Sequence, residues 1–390
     1  MPSDQTTKRL LVFARRFPPS RGGAPTVLKN LFDAIPDDRY AALSMDDGTE
    51  GGKTVAEERH ARLSAPGKIS SKVDKRLFFR IPEVLRRARA ICPPEDTAGV
   101  LLVNPVCGFE VAGWRYARKH GLPLLIYFLD ECQQLARTFP SFFARKLQRR
   151  IFADASTRFC INPMLRQYHF EKHFPRLSFR DLPIPAPPLS STGNVNAQPA
   201  WRHGTAGLIA FTGQIHVNYN LHAIRQLIGV LQNMREPAPK LVLATPDPEH
   251  RLQQYGLAAN EHVDIVSLGT EECRALQEQA DLLFLPVPVK PSEQSYVQTA
   301  FPSKTIEYLA SDTRILLVGH SDIPFLQYMK TRGLGRVLES PTSETLSKAV
   351  AECIQRPDLT PAEKSARDAE VALHDPGKVA ETLMHSANMR

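Results

Sequence analysis

Between Ala280 and Gly319 the chain reads ADLLFLPVPVKPSEQSYVQTAFPSKTIEYLASDTRILLVG. The apolar run from Asp281 to Val287 suits a buried strand, and a polar loop follows it. Pro302, Ser303 and Lys304 then open a helix that carries Glu307 in its first turn or two. A second apolar run, Arg314 to Gly319, comes at once. This βαβ pattern demands a parallel α/β sheet. It puts a helix N-terminus, with free backbone N–H groups and the positive end of the dipole, at the sheet's carboxyl edge. Open α/β sheets bind ligands at that edge, and a helix N-terminus there favours phosphate. A nucleotide or nucleotide-sugar ligand is therefore the expectation.

The same rhythm runs through the whole chain. Strands are predicted at Leu10 to Ala14, Tyr40 to Met45, Val100 to Asn104, Leu124 to Leu129 and Thr157 to Ile161, with helices between them. Residues 46–71 are polar and Gly-rich and read as one long loop. The segment PIPAPPLSSTGNVNAQPAWRHGT, Pro183 to Thr205, lacks periodicity and reads as a linker. Strands and helices then alternate again from Leu208 onward. The expected division is a first domain over 1–185, a linker over 186–206, a second domain over 207–373, and a C-terminal helix over 374–390 that packs back on the first. Two such domains enclose a cleft, where ligands favour binding.

Composition narrows the class. At 390 residues the chain suits two domains. No apolar run approaches the roughly 18–20 residues of a spanning helix, and the four-residue apolar core near the N-terminus is too short for a signal peptide. A cytoplasmic location is expected. The six cysteines are scattered without metal-ligand spacing, so no metal is expected. Residues 1–185 carry 31 Lys+Arg against 19 Asp+Glu, and the remainder 18 against 22. That asymmetry points to an anionic partner for the first half only. Within Lys72 to Ala90 the residues Leu77, Phe78, Ile81, Val84 and Leu85 fall at roughly helical spacing among basic ones. Such a helix either lies on an anionic membrane or packs into a core with a solvated basic face.

Three segments carry a family resemblance: FPPSRGGAPTVLKNL (Phe17 to Leu31), IAFTGQIHVNYNLHAIRQL (Ile209 to Leu227), and ADLLFLP with FPSKTIEYLASDTRILLV. In order and spacing they resemble the group 1 glycosyltransferases (glycosyltransferase family 4, retaining, GT-B fold). The resemblance implies two Rossmann-like domains with parallel sheets facing across a cleft, an acceptor bound by the first and a nucleotide-diphosphate sugar by the second. It implies no metal, and no cofactor beyond that co-substrate.

Under this resemblance Glu307 accepts hydrogen bonds from both ribose hydroxyls, because a carboxylate matches a vicinal diol. Its alternative is an acid that complements the helix dipole. Pro302, Ser303, Lys304 and Thr305 present backbone N–H groups and one ammonium to the diphosphate; otherwise they are a helix cap and a solvated lysine. Gly22 and Gly23 let the backbone approach the phosphate and the transferred sugar, or form an ordinary tight turn. Gly213, Gln214 and Asn218 belong to the loop beside the diphosphate, and Leu268 and Thr270 to the base-selecting backbone. Asp130, after the strand LLIYFL, orients or deprotonates the acceptor or caps the next helix.

The chain also departs from the family pattern. The family carries an acid eight positions before its ribose-binding glutamate, where this chain has Thr299. It carries an arginine after the glycine matching Gly213 and a lysine about five residues later, where this chain has Gln214 and then Asn218, Tyr219 or Asn220. Lys304, Arg21 or His216 are the candidate substitutes. The implied activity is metal-independent hexosyl transfer with retention to a lipid-linked or polysaccharide acceptor, in envelope or exopolysaccharide synthesis at the inner face of the membrane. Catalytic roles fall to Asp130, Lys304 and Glu307. The alternative is a non-catalytic nucleotide-sugar-binding protein with a degenerate site. No nucleic-acid partner is expected.

Overall fold

The structure, a computed structural model, describes residues 8–18, 20, 23–46, 59–64, 79–104, 108–131, 141–186, 206–235, 237–290, 295–356 and 358–389. The chain divides into two compact units, Met1–Pro188 with His374–Arg390, and Leu189–Leu373.

In the first unit, strands β1 (Arg9–Ala14), β2 (Tyr40–Asp46), β3 (His60–Ser64), β4 (Thr97–Val103), β5 (Leu124–Phe128), β6 (Thr157–Cys160) and β7 (Arg180–Asp181) form one sheet in the order β3-β2-β1-β4-β5-β6-β7. Every pairing is parallel. Helices α1 (Gly23–Phe32), α2 (Ile81–Ile91), α3 (Gly108–His120) and α4 (Ser141–Asp154) fill the crossovers. β1 and β5 are apolar and almost wholly buried, as strands covered on both faces must be.

One expectation changes here, and one open alternative is narrowed. Strand β3 lies inside the stretch read as loop. Its Leu63 is fully buried, and the His60 ring meets Ser44 Oγ at 2.7 Å, so a short polar-looking segment gains one apolar anchor and one buried hydrogen bond. The basic helix α2 buries Ile81, Val84 and Ala88 within its own unit against α3 and the edge of the sheet. Its apolar stripe is therefore core, and Glu83 pairs with Arg80 and Arg87 on the outer face. Leu77 and Phe78 lie outside the described residues.

In the second unit, β8 (Leu208–Thr212), β9 (Lys240–Ala244), β10 (Val263–Val266), β11 (Leu282–Pro286), β12 (Arg314–Gly319) and β13 (Arg336–Glu339) form a sheet ordered β10-β9-β8-β11-β12-β13, again parallel throughout. Its helices are α5 (Leu221–Gln232), α6 (Glu249–Gln254), α7 (Thr270–Gln279), α8 (Ser295–Thr299), α9 (Lys304–Ala310), α10 (Pro324–Arg332), α11 (Ser343–Gln355) and α12 (Pro361–Leu373). Ile209, Phe211, Leu282, Phe284, Leu316 and Val318 turn one face of the sheet into a core shared with α5 and α11. A final helix, α13 (Pro376–Ser386), belongs to the first unit, where it packs on α1. The link is made by His374, whose Nδ1 lies 2.7 Å from Ile184 O.

Each sheet reverses its strand order once, between β1 and β4 in the first and between β8 and β11 in the second. Two loops diverge at such a switch point and leave a crevice at the carboxyl edge. Both sheets have the doubly wound Rossmann order.

Candidate functional site

The crevice of the second unit opens where β8 and β11 end. At the end of β8, Gly213 adopts φ +120°, a conformation that side-chain-bearing residues rarely reach. A Cβ there would also stand 3.1 Å from Lys304 Nζ. Glycine is thus required twice, once for backbone direction and once to admit the lysine. Lys304 begins α9 on the far side of the crevice, and its Nζ lies 3.7 Å from the centre of the Phe211 ring. The ammonium is half-buried against an aromatic face, a favourable cation–π geometry. No carboxylate forms an ion pair with it among the described residues. Burial pushes its pKa down to about 7, with Glu307 opposing the shift.

Glu307, one turn further along α9, is half-buried, and burial raises its pKa. Gln277, Lys304 and Arg274 offset part of that rise. The Gln277 amide nitrogen on α7 donates to Glu307 Oε2 at 3.3 Å and to Thr212 Oγ1 at 3.1 Å, using its two hydrogens on two acceptors. Thr212 in turn donates from its backbone N and its hydroxyl to Tyr308 Oη, at 2.9 and 3.2 Å. The carboxylate is therefore fixed by a relay running from the end of β8 through α7 to α9. Gln277 leaves Oε1 of Glu307 without a protein donor among the described residues, so that oxygen has capacity for a ligand hydroxyl.

The loop after β8 is held by a group that sequence reasoning missed. Asp247 Oδ2 accepts from Ile215 N at 2.7 Å and from Thr245 Oγ1 at 2.9 Å, and Oδ1 from Arg251 Nη1 at 3.0 Å. Burial pushes this carboxyl up, but those bonds outweigh it and hold its pKa below the usual range. Asn220 closes the other end, taking His216 N at 2.8 Å and donating to Gln214 O at 3.0 Å. The Asp-Pro pair directly after strand β9 was the available signal for such an anchor.

The remaining candidates sort by position. Gln214 and Asn218 are exposed on this loop, and Asn218 O meets Tyr296 Oη at 3.5 Å. Leu268 and the exposed Thr270 flank the start of α7, where Gly269 N is capped by Glu272 Oε2 at 2.7 Å. Pro302 and Ser303 immediately precede α9, and Ser303 makes no side-chain cap. Thr299 is buried, its hydroxyl 3.5 Å from Tyr296 O. Two buried hydroxyls, those of Tyr219 and Thr305, have no hydrogen-bond partner. Both belong to segments that border this crevice.

Asp130 and Gly23 lie in the first unit. Asp130 follows β5, with its carboxyl raised by burial despite a 2.8 Å bond from Glu131 N. Asn104 Oδ1 reaches across from the end of β4 to Leu129 N at 2.6 Å and Asp130 N at 3.3 Å, so this edge is braced as well. Gly23 is the first residue of α1, and a Cβ there would meet nothing within 4 Å. Gly22 and Arg21 lie outside the described residues.

No protein-family model matches the chain, and no curated protein sequence matches it. Solved structures do. A sucrose-phosphate synthase from Thermosynechococcus elongatus is similar with a TM-score of 0.67 at 14% identity, over 97% of this chain and 98% of that one. HepE from Anabaena, solved with UDP and glucose, is similar with a TM-score of 0.60 at 13% identity, over 98% and 100%. A UDP-N-acetylglucosamine 2-epimerase from Listeria monocytogenes, so described provisionally, gives 0.55 at 12%, over 98% and 95%.

Proposed function

The GT-B fold of two Rossmann-like units is the premise from which we infer that this chain is a glycosyltransferase using a nucleotide-diphosphate sugar. The neighbours include transferases and an epimerase, so the fold alone leaves the chemistry open and the residues must decide it. The observation that carries the reading is the pairing on α9. Glu307 has a half-satisfied carboxylate suited to a ribose diol, and Lys304 brings an unpaired cation to the Gly213 turn three residues earlier in the same helix. A nucleoside diphosphate presents a diol and an anion together. Lys304 is then the substitute for the cations absent at Gln214 and Asn218.

Chemically, the reading assigns retention. The acceptor hydroxyl attacks on the face from which the diphosphate leaves, and a leaving phosphate oxygen takes the hydroxyl proton. The bond to the acceptor forms as the sugar–phosphate bond breaks. Lys304 stabilises charge growing on the diphosphate, and Glu307 holds the nucleoside in register. Asp130 orients the acceptor from the first unit. The acceptor in this reading is a lipid-linked or polysaccharide chain, and no resident metal takes part. Two observations weigh on it. No helix among the described residues is long and apolar enough to cross a membrane, and α2 buries Ile81, Val84 and Ala88 in its own unit, while Phe79 just before it is exposed.

Buried Thr299 favours a second reading. A side chain packed inside cannot touch a donor sugar, which suits a protein that binds the nucleotide without transferring. Thermal-shift titration with a panel of nucleoside diphosphates and nucleotide sugars, followed by product analysis, separates the readings. At a hundred times its dissociation constant a ligand stabilises by about 2.7 kcal/mol. Transfer requires a shift that Glu307→Ala abolishes, together with glycosylated product. A shift without product supports binding only. No shift with any nucleotide rejects both.

A further inference from the structure

In the second unit a cavity of about 430 Å³ opens between α5 and the exits of β11 and β13, and Glu307 is not among its lining residues. Its volume falls within the roughly 300–1,000 Å³ of small-molecule sites. The floor is fixed by hydrogen bonds unrelated to the Glu307 relay. Gln226 Nε2 on α5 donates to Pro341 O at 2.6 Å, and Ser340 N donates to Gly319 O at 2.7 Å. Ser340 sits at φ +46°, in the left-handed region that a non-glycine residue enters at a cost. Such strain is held only by surroundings that over-determine it, and it concentrates at functional sites.

Three basic side chains enter this cavity from two directions, His222 and Arg225 from α5 and Lys290 from the strand exit. Arg225 is oriented in advance. Its Nε donates to Tyr255 O at 2.9 Å and Nη2 donates to the same oxygen, so the side chain that lines the cavity is held in place. His222 and Lys290 form no hydrogen bond or ion pair among the described residues. None of the described residues that line the cavity is acidic. Among the described residues the positive charge here has no acidic partner, and the cavity's first wall is the opening turn of α5, where the dipole adds to it.

We propose that this cavity is a second anion site, separate from the one at Glu307, that takes the phosphate group of a small phosphorylated metabolite. Phosphate fits better than carboxylate. The guanidinium, the ammonium, the imidazole and the Ser340 hydroxyl offer more donors than two carboxylate oxygens can use, while a phosphate monoester presents three. The volume is enough for a monosaccharide phosphate. The inference does not depend on the glycosyltransferase reading, since none of these residues is assigned to the nucleotide there.

The test is calorimetric titration of the full chain with inorganic phosphate, glucose 1-phosphate and UDP. The variants are Lys290→Glu and the double variant His222→Gln with Lys290→Gln. All these side chains are exposed, so melting temperatures should match wild type. Saturable binding of glucose 1-phosphate is expected, weakened at least tenfold in Lys290→Glu, weakened in the double variant, and unchanged in Glu307→Ala. Equal binding of inorganic phosphate and glucose 1-phosphate would place only the phosphate in the cavity, and tighter binding of the ester would place the sugar there as well. The proposal is overturned if neither phosphate compound saturates the wild type, if Lys290→Glu binds as wild type does, or if Glu307→Ala removes the binding. UDP serves as the control: its binding reports on the Glu307 site and should survive Lys290→Glu.

Discussion

The two sheets share one strand order, yet their carboxyl edges are built from different materials. In the first unit rings pack around the sheet, and the described edge carries one polar brace, from Asn104 Oδ1 to Leu129 N and Asp130 N. Phe17 packs against Phe32, Tyr40 and His60 with centroids 5.2, 6.3 and 5.4 Å apart, and Phe128 stacks on Phe170 at 4.0 Å and Phe152 at 5.0 Å. In the second unit the edge is a polar relay through Thr212, Gln277, Tyr308 and Glu307, with the buried carboxylate of Asp247 beside it. Aromatic packing contributes stability without directing charge. A pre-bonded polar edge aims donors and acceptors at a ligand before it arrives, which is the requirement for recognising a nucleotide. The contrast fits the reading in which the second unit holds the nucleotide.

The largest expected effect is at Lys304. Lys304→Met should lower turnover by roughly 100- to 1,000-fold, as loss of one charge-stabilising donor does, while Asp130→Asn leaves nucleotide affinity unchanged. Steady-state kinetics with parallel nucleotide titrations would check both; equal losses of affinity in the two variants would erase the contrast. The pH dependence follows from the same lysine. Its folded pKa, about 7, lies below the ordinary value of 10.5. A bound diphosphate favours the charged amine, so binding takes up a proton above pH 7. Affinity should be greatest below pH 7 and fall above it, by at most about tenfold per pH unit. Lys304→Met should flatten the profile.

A pH response of a different kind belongs to the first unit. Burial, with repulsion from Arg62, holds the pKa of His60 down to about 4. The unfolded ring binds its proton near 6.5, so the unfolded state takes up protons first as pH falls. Stability should be complete above pH 6.5 and decline by roughly 3 kcal/mol as pH falls to 4. Urea melts at stepped pH would read it, and His60→Gln should remove most of the slope. Here pH acts on folding, whereas at Lys304 it acts on the ligand.

Asp247 tests whether the second edge is truly pre-bonded. Asp247→Ala strands Ile215 N and Thr245 Oγ1 and should cost about 2–3 kcal/mol. Nucleotide affinity should fall along with stability, because the loop it anchors begins at Gly213. A stability loss with unchanged affinity would show that the loop geometry is immaterial to binding.

How much of this was legible in the sequence depends on which interactions decide each part. The strands announce themselves because sheets covered on both faces need continuous apolar runs, and LLFLP and RILLV have no competing reading. Glu307 and Lys304 were legible from their place after such a strand. Strand β3 was not, since HARLS carries one fully buried leucine and, as the edge strand, pairs only with β2. Gln277 and Asp247 were also hidden. Their importance arises from contacts 65 and 32 positions away in sequence, to Thr212 and Ile215, which no local pattern encodes. Lys304 was one of three candidate substitutes for the missing cations, with Arg21 and His216, and only the fold shows that its ammonium reaches the Gly213 turn from α9.

The smallest effect compares two buried tyrosines, one in each unit. Tyr127 donates its hydroxyl to Leu182 O at 3.0 Å, whereas the Tyr219 hydroxyl has no partner. Tyr127→Phe should therefore destabilise by about 1 kcal/mol, and Tyr219→Phe should stabilise by a similar amount by deleting an unsatisfied buried group. Denaturant melts of the two variants without ligand would give opposite signs. Saturating nucleoside diphosphate sharpens the comparison. If the Tyr219 hydroxyl is held in reserve for the ligand, the advantage of Tyr219→Phe disappears on binding, because the wild-type hydroxyl then gains its partner and the phenylalanine cannot. If the advantage persists unchanged, the orphaned hydroxyl is a packing cost of the loop, and the polar relay at Glu307 ends short of Tyr219.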